Sequence, residues 1–64
     1  MEFEIYVNDE LIMVKEYPNT MTPFTIIKSV INNIKKNNIL ADGEKVANYY
    51  FNGNKLVLKT CQQY

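Results

Sequence analysis

The sequence predicts an α+β domain in the order β-hairpin, helix, β-hairpin (ββαββ), with one helix packed on a four-stranded mixed sheet. Three observations carry that prediction. Apolar residues alternate with period two from Phe3, break at Asn8-Asp9-Glu10 and resume at Leu11, which reads as two strands about a turn. Behind Thr22-Pro23, a stripe at helical spacing runs Phe24, Ile27, Ile31 and Ile34. Finally, Asn52-Gly53 separates two further strand-like runs, and Asn-Gly is the strongest short hairpin signal.

The first strand, Phe3-Glu4-Ile5-Tyr6-Val7, is rich in the aromatic and β-branched residues that suit a pleated surface. Leu11-Ile12-Met13-Val14 continues as the second and ends near Tyr17-Pro18. Two-residue turns at Asn8-Asp9 or Asp9-Glu10 give the same facing. Phe3, Ile5, Val7, Ile12 and Val14 share one side, and Glu2, Glu4, Tyr6, Leu11, Met13 and Lys15 the other. A three-residue loop with a bulge would reverse the second strand, because a one-residue slip exchanges its two faces.

Pro18-Asn19-Thr20-Met21 is a connector leading to Thr22, a good N-cap, and to Pro23, whose missing N–H costs nothing in the first helical position. Ile26 and Val30 widen the apolar stripe, while Thr25, Lys28, Ser29, Asn32, Asn33, Lys35 and Lys36 cover the other side. Lys35 and Lys36 suit the negative end of the helix dipole, and Asn37-Asn38 can take a left-handed stop. Ile39 and Leu40 then pack back, and Asp42-Gly43 turns the chain. In the second hairpin turns at Asn52-Gly53 or Gly53-Asn54 give the same facing, and Ala47, Tyr49, Phe51, Leu56 and Leu58 are expected to face inward. Tyr50, Lys55, Val57, Lys59 and Cys61 are expected to face outward.

Composition excludes several function classes. Sixty-four residues make one domain, spanning 1–64, and a chain this short buries only roughly 60% of its unfolded surface. With one cysteine and no histidine, neither an internal disulfide nor a cysteine–histidine zinc site can form, and the commonest general acid–base group is missing. Cys61, without a histidine partner, reads as an inert thiol. The acids Glu2, Glu4, Asp9 and Glu10 lack calcium-loop spacing, and Gly43 and Gly53, the only glycines, make no phosphate loop. No catalytic, metal-ligating or cofactor-binding residue is expected. Net charge is zero and every basic residue is lysine, so the arginine clamps of nucleic-acid readers are missing. The charge is uneven, with acids concentrated in residues 1–16 and Lys28, Lys35 and Lys36 mid-chain. The acidic start Met1-Glu2-Phe3-Glu4 is unlike a signal peptide, and the expected compartment is the cytoplasm. Lysine without arginine, nine asparagines and seven isoleucines suggest AT-rich coding, hence a low-GC bacterium, its phage or another mobile element.

The segments Phe3–Val14, Pro23–Lys36 and Asn48–Thr60 together resemble the β-grasp architecture. That is the fold of the immunoglobulin-binding domains of proteins G and L and, more loosely, of ubiquitin-like proteins. Tyr50-Phe51-Asn52-Gly53-Asn54-Lys55-Leu56 is similar to the strand and turn that follow the helix in ubiquitin-like proteins. The resemblance implies that the first and last strands lie parallel at the sheet centre, with the helix across one face. A ferredoxin-like fragment or a swapped dimer is the alternative. No function follows from the resemblance. Carriers of the ubiquitin type need a Gly-Gly tail where this chain has Cys61-Gln62-Gln63-Tyr64, and no matched residue supports immunoglobulin binding.

In the strand order the resemblance implies, Leu11 and Met13, then Tyr6, Val57 and Tyr50 form an apolar band on the face the helix leaves open. A contiguous apolar patch rimmed by charge marks an interface more often than a solvated sheet. The expected function is therefore a small non-enzymatic protein-binding module, with Tyr6, Leu11, Met13, Tyr50 and Val57 as its partner-binding residues. A phage or mobile-element inhibitor of a host protein, of the anti-defence type, is one guise. The alternatives are a homodimer through the same band, or nucleic-acid binding through Lys28, Lys35 and Lys36 with Tyr49 or Tyr50 as stacking platforms.

Overall fold

The computed structural model describes residues 1–62, so Gln63 and Tyr64 lie outside the described residues. Strands β1 (Glu2–Val7) and β2 (Glu10–Glu16) form the first hairpin. They are joined by a two-residue turn in which Asn8 (φ 50°) and Asp9 (φ 70°) are both left-handed. Two positive φ values define the turn whose twist matches the strands, and Asn and Asp tolerate that backbone best among non-glycine residues. Helix α1 (Pro23–Lys36) follows, then the second hairpin of β3 (Glu44–Asn52) and β4 (Lys55–Gln62). The sheet order is β2-β1-β4-β3, with β1 and β4 parallel at the centre and both outer pairs antiparallel. This is the α+β hairpin–helix–hairpin expected from sequence, and its strand order is consistent with the β-grasp resemblance.

The helix begins and ends where its local chemistry directs. Thr22 is extended and its Oγ1 accepts from the Thr25 N–H at 3.3 Å, Pro23 opens the first turn, and Asn38 closes the helix in left-handed backbone (φ 53°). Ile26, Ile27, Val30 and Ile34 are buried against Phe3, Ile5, Val7, Leu56 and Leu58. Phe24 does not join them: it is 65% exposed, with the Lys28 ammonium 5.4 Å from its ring centre. At 100° per residue Phe24 stands about 100° from the centre of the buried stripe, on the flank that carries Lys28.

Two bulges change which side chains face the helix. In β2 the register runs Ile5↔Met13 and then Tyr6↔Leu11, leaving Ile12 as the extra residue. Beyond it the strand's facing is reversed relative to the expectation. Met13 pairs with fully buried Ile5 and packs against the core, whereas Val14 pairs with Glu4 and is half exposed on the other side. In β3, Val46↔Thr60 is followed by Asn48↔Lys59, so Ala47 is the unpaired residue. Val46 packs inward in its place and Ala47 is exposed, again correcting the expected parity. Tyr49 does stand opposite buried Leu58, yet it is 43% exposed. A helix about 10 Å wide cannot cover four strands spanning about 19 Å, and the middle of β3, at Tyr49, is left uncovered.

One core member has no strand or helix to announce it. Tyr17, just beyond β2, is 5% exposed and stacks at a tilt on Phe3, with ring centres 6.1 Å apart. Phe3 in turn meets Phe51 edge-on at 6.0 Å. The Tyr17 hydroxyl and Ser29 Oγ are hydrogen-bonded at 3.2 Å, which fastens the sheet's end to the helix and satisfies the one polar atom this burial brings in.

Candidate functional site

The face opposite the helix is built from the outward residues of all four strands, and their register makes it regular. Tyr6 on β1 is paired with Leu11 on β2 and with Val57 on β4, and Val57 is paired with Tyr50 on β3. Leu11, Tyr6, Val57 and Tyr50 thus form one straight row across the sheet. The central members shelter each other, so Val57 is only 8% exposed, while Leu11 and Tyr50 at the ends are 51% and 49% exposed. The next row toward the hairpin turn of β3 and β4 is Val14, Glu4, Lys55 and Asn52. Four of the five residues expected on this face, Tyr6, Leu11, Tyr50 and Val57, are brought together. Met13 is not, because the Ile12 bulge turns it to the core, and Val14 takes its place beside the row. Parity counting missed Val14 because the bulge residue is an ordinary isoleucine.

The electrostatics of the face divide along its midline. Glu2, Glu4 and Glu16 lie on β1 and β2, whereas Lys55 and Lys59 lie on β4. The Tyr6 hydroxyl donates to Glu4 Oε1 at 2.7 Å. That bond, with some desolvation and the Glu4 charge, raises the Tyr6 phenol above its ordinary pKa and keeps it a neutral donor. The Lys55 ammonium stands 5.9 Å from the Tyr6 ring centre, so the aromatic surface is flanked by a carboxylate and a cation.

At the other end of the face the first hairpin turn is clamped to β4. Asn8 Oδ1 accepts from the Thr60 N–H at 3.1 Å, while Asn8 Nδ2 donates to Thr60 Oγ1 at 2.7 Å. Thr60 Oγ1 donates to Glu44 Oε2 at 2.7 Å, and Glu44 Oε1 accepts from the Ala41 N–H at 3.0 Å. These two bonds lower the Glu44 pKa below its ordinary value against a smaller opposing effect of burial. Lys59 Nζ meets Asp9 Oδ1 at 2.9 Å on the outer side of the same clamp.

Two depressions lie on the helix side. One, about 500 Å³, lies between the C-terminal half of α1 and the start of β3, where Lys35, Asp42, Glu44 and Lys45 surround Ile34 and Val46. Its best acid, Glu44, is already engaged by Thr60 and Ala41. The other, about 420 Å³, is apolar and lined by Phe3, Pro18, Met21, Pro23, Ile26 and Phe51 among others, with no acidic or basic side chain. Among the described residues no group of three or more His, Cys, Asp or Glu side chains could hold a metal ion, and Cys61 is exposed and free. Among the described residues no helix is long and apolar enough to cross a membrane. The lysines considered for nucleic acid are divided. Lys28 and Lys36 line a shallow surface beside Phe24, Lys35 lines the depression next to β3, and Tyr50 stands on the opposite face of the sheet.

No family model matches the chain, and comparison with curated proteins and with solved structures likewise gave no significant match.

Proposed function

We propose that this protein works by contact rather than chemistry, as a small protein-binding module whose outer sheet face is the binding surface. The observation that carries the reading is the in-register row Leu11–Tyr6–Val57–Tyr50, extended by Val14 and left uncovered by any described element. Its two tyrosines belong to the residue types enriched at interface centres, and charged residues rim them. The inhibitor guise, a phage or mobile-element product that occupies a host protein in the cytoplasm, rests on the AT-rich composition alone. Nucleic-acid binding through α1 is the weaker reading, because zero net charge and the divided lysines give no continuous basic surface.

The test needs substitutions that spare the fold. Val57 is unsuited, since a lysine there would replace a nearly buried side chain. Leu11→Lys with Tyr50→Lys alters only the two exposed ends of the row. In affinity capture from native host cells, the double variant should lose the proteins that the unaltered chain retains, with its thermal midpoint nearly unchanged. Retention of the same proteins by both would refute the outer-face reading.

A further inference from the structure

We propose that the occupant of the outer face is a second copy of this chain, related by a twofold axis that runs parallel to the strands and passes between β1 and β4. The proposal rests on the outer face being the binding surface, and adds what covers it. Its basis is a self-complementarity written into the register of the central strands.

In the parallel β1–β4 ladder Glu4 is paired with Lys55, and Tyr6 with Val57. A half-turn about an axis midway between these strands lays β1 of one copy over β4 of the other, without shifting either along its length. Glu4 then faces Lys55 of the second copy, and by symmetry Lys55 faces its Glu4. In the same way Tyr6 meets Val57, and Leu11 at one edge of the row meets Tyr50 at the other, an apolar contact along the whole row. Such reciprocal pairing is what an isologous interface requires. The mean strand directions of the two sheets stay aligned, as in ordinary face-to-face sheet packing.

The rival twofold, in the sheet plane but perpendicular to the strands, fails on charge. Turning the sheet about the central row would lay Lys55 over Lys59 of the second copy, since the two flank Val57 on β4. It would leave Glu4 facing Asn8. Unlike charges therefore meet about the first axis, whereas about the second Lys55 meets a lysine already paired with Asp9 and Glu4 meets no charge, which favours the first. A second copy also fits the division of the face into an acidic half and a lysine half better than a partner of single charge sign, which would be attracted by one half and repelled by the other.

Four strands about 4.8 Å apart and about 20 Å long give a face of roughly 400 Å² per protomer, about half the area per partner of an ordinary specific interface, so the dimer is of the weak, transient class. Self-association is accordingly sought by sedimentation equilibrium from low micromolar concentration up to about 1 mM. The expected result has three parts. The unaltered chain dimerises reversibly; Glu4→Lys alone and Lys55→Glu alone each weaken the dimer about tenfold, because each places like charges at both symmetric contacts. An equimolar mixture of these two variants associates again, since every contact between unlike variants pairs a lysine with a glutamate. A variant that had merely misfolded would not be rescued by the other. A chain monomeric at about 1 mM overturns the second copy as occupant. A dimer indifferent to both charge reversals, or one not restored by mixing, overturns it as well. If the monomer result is joined by loss of captured proteins in the Leu11→Lys/Tyr50→Lys variant, the binding face stands and only its occupant was misassigned.

Discussion

Lysine substitution of Met13 and Val14 in turn tests the bulge at Ile12, on which the composition of both sheet faces depends. Met13 packs against the core opposite Ile5, while Val14 lies half exposed beside Glu4. Full burial of a methionine is worth about 1.5–3 kcal/mol, and Met13 is part-buried, so losing its packing removes about 1 kcal/mol. The incoming ammonium must also be lifted to water past the sheet edge, with loss of a cross-strand contact worth about 0.2–1 kcal/mol. Met13→Lys should therefore cost about 1–2 kcal/mol. At Val14 the lysine stem can lie over the apolar surface the valine half covers, which keeps the change within about 0.5 kcal/mol. In a domain of this size each kcal/mol moves the midpoint by about 4–8 °C, so Met13→Lys should melt about 4–16 °C lower and Val14→Lys less than about 4 °C lower. Thermal unfolding followed by circular dichroism at low micromolar protein, where self-association does not contribute, reads this directly. If Val14→Lys is instead the more damaging, β2 pairs without the bulge and the face assignment of Met13 and Val14 is reversed.

Tyr17→Phe removes a buried hydroxyl bonded to Ser29 and should cost about 1 kcal/mol in urea unfolding; Ser29→Ala should cost a similar amount, and the double variant little more than either. Fully additive losses would show that the two hydroxyls do not act as a pair. The Glu44 pKa is lowered from its ordinary 4.5 by Thr60 and the Ala41 N–H, so its carboxylate stabilises the fold above that value, and the contribution is lost as pH falls through the lowered folded pKa. Thr60→Val should lower stability near neutral pH and flatten the decline on acidification, measured as unfolding midpoints against pH; identical acid slopes would remove Glu44 from the account.

The elements were legible in the sequence because their signals are local. A capping threonine before proline, the paired asparagines after Lys36 and the Gly53-Asn54 turn each act within a few residues of where they stand, and all three act as expected. Facing on β1 and β4 was legible too, since neither strand carries the extra residue of a bulge. On β2 and β3 it held between the hairpin turn and the bulge and failed beyond it, because Ile12 and Ala47 are residues that any regular strand accepts. What makes them bulges is the demand of their partners, with Met13 and Val46 drawn toward the core. Tyr17 escaped notice for a related reason, as its burial depends on meeting Phe3 and Ser29 rather than on any period in its neighbours. Of the outer face, the row was readable from turn parity together with the strand order the resemblance implies, while Val14 required the structure.

The adjacency of β1 and β4 has a mechanical consequence. Because the two strands are parallel, the start of β1 and the end of β4 lie at opposite ends of the sheet. Tension between those points slides the central pair lengthwise instead of peeling it open. The ladder from Glu4 N–H···O Asn54 to Asn8 N–H···O Leu58 would then bear load together with the Asn8–Thr60 clamp and the Lys59–Asp9 pair. Pulled across either hairpin, the same sheet would unzip one bond at a time. A domain with a modest core can thus resist force well along one axis and poorly along another, with the difference set by strand direction alone.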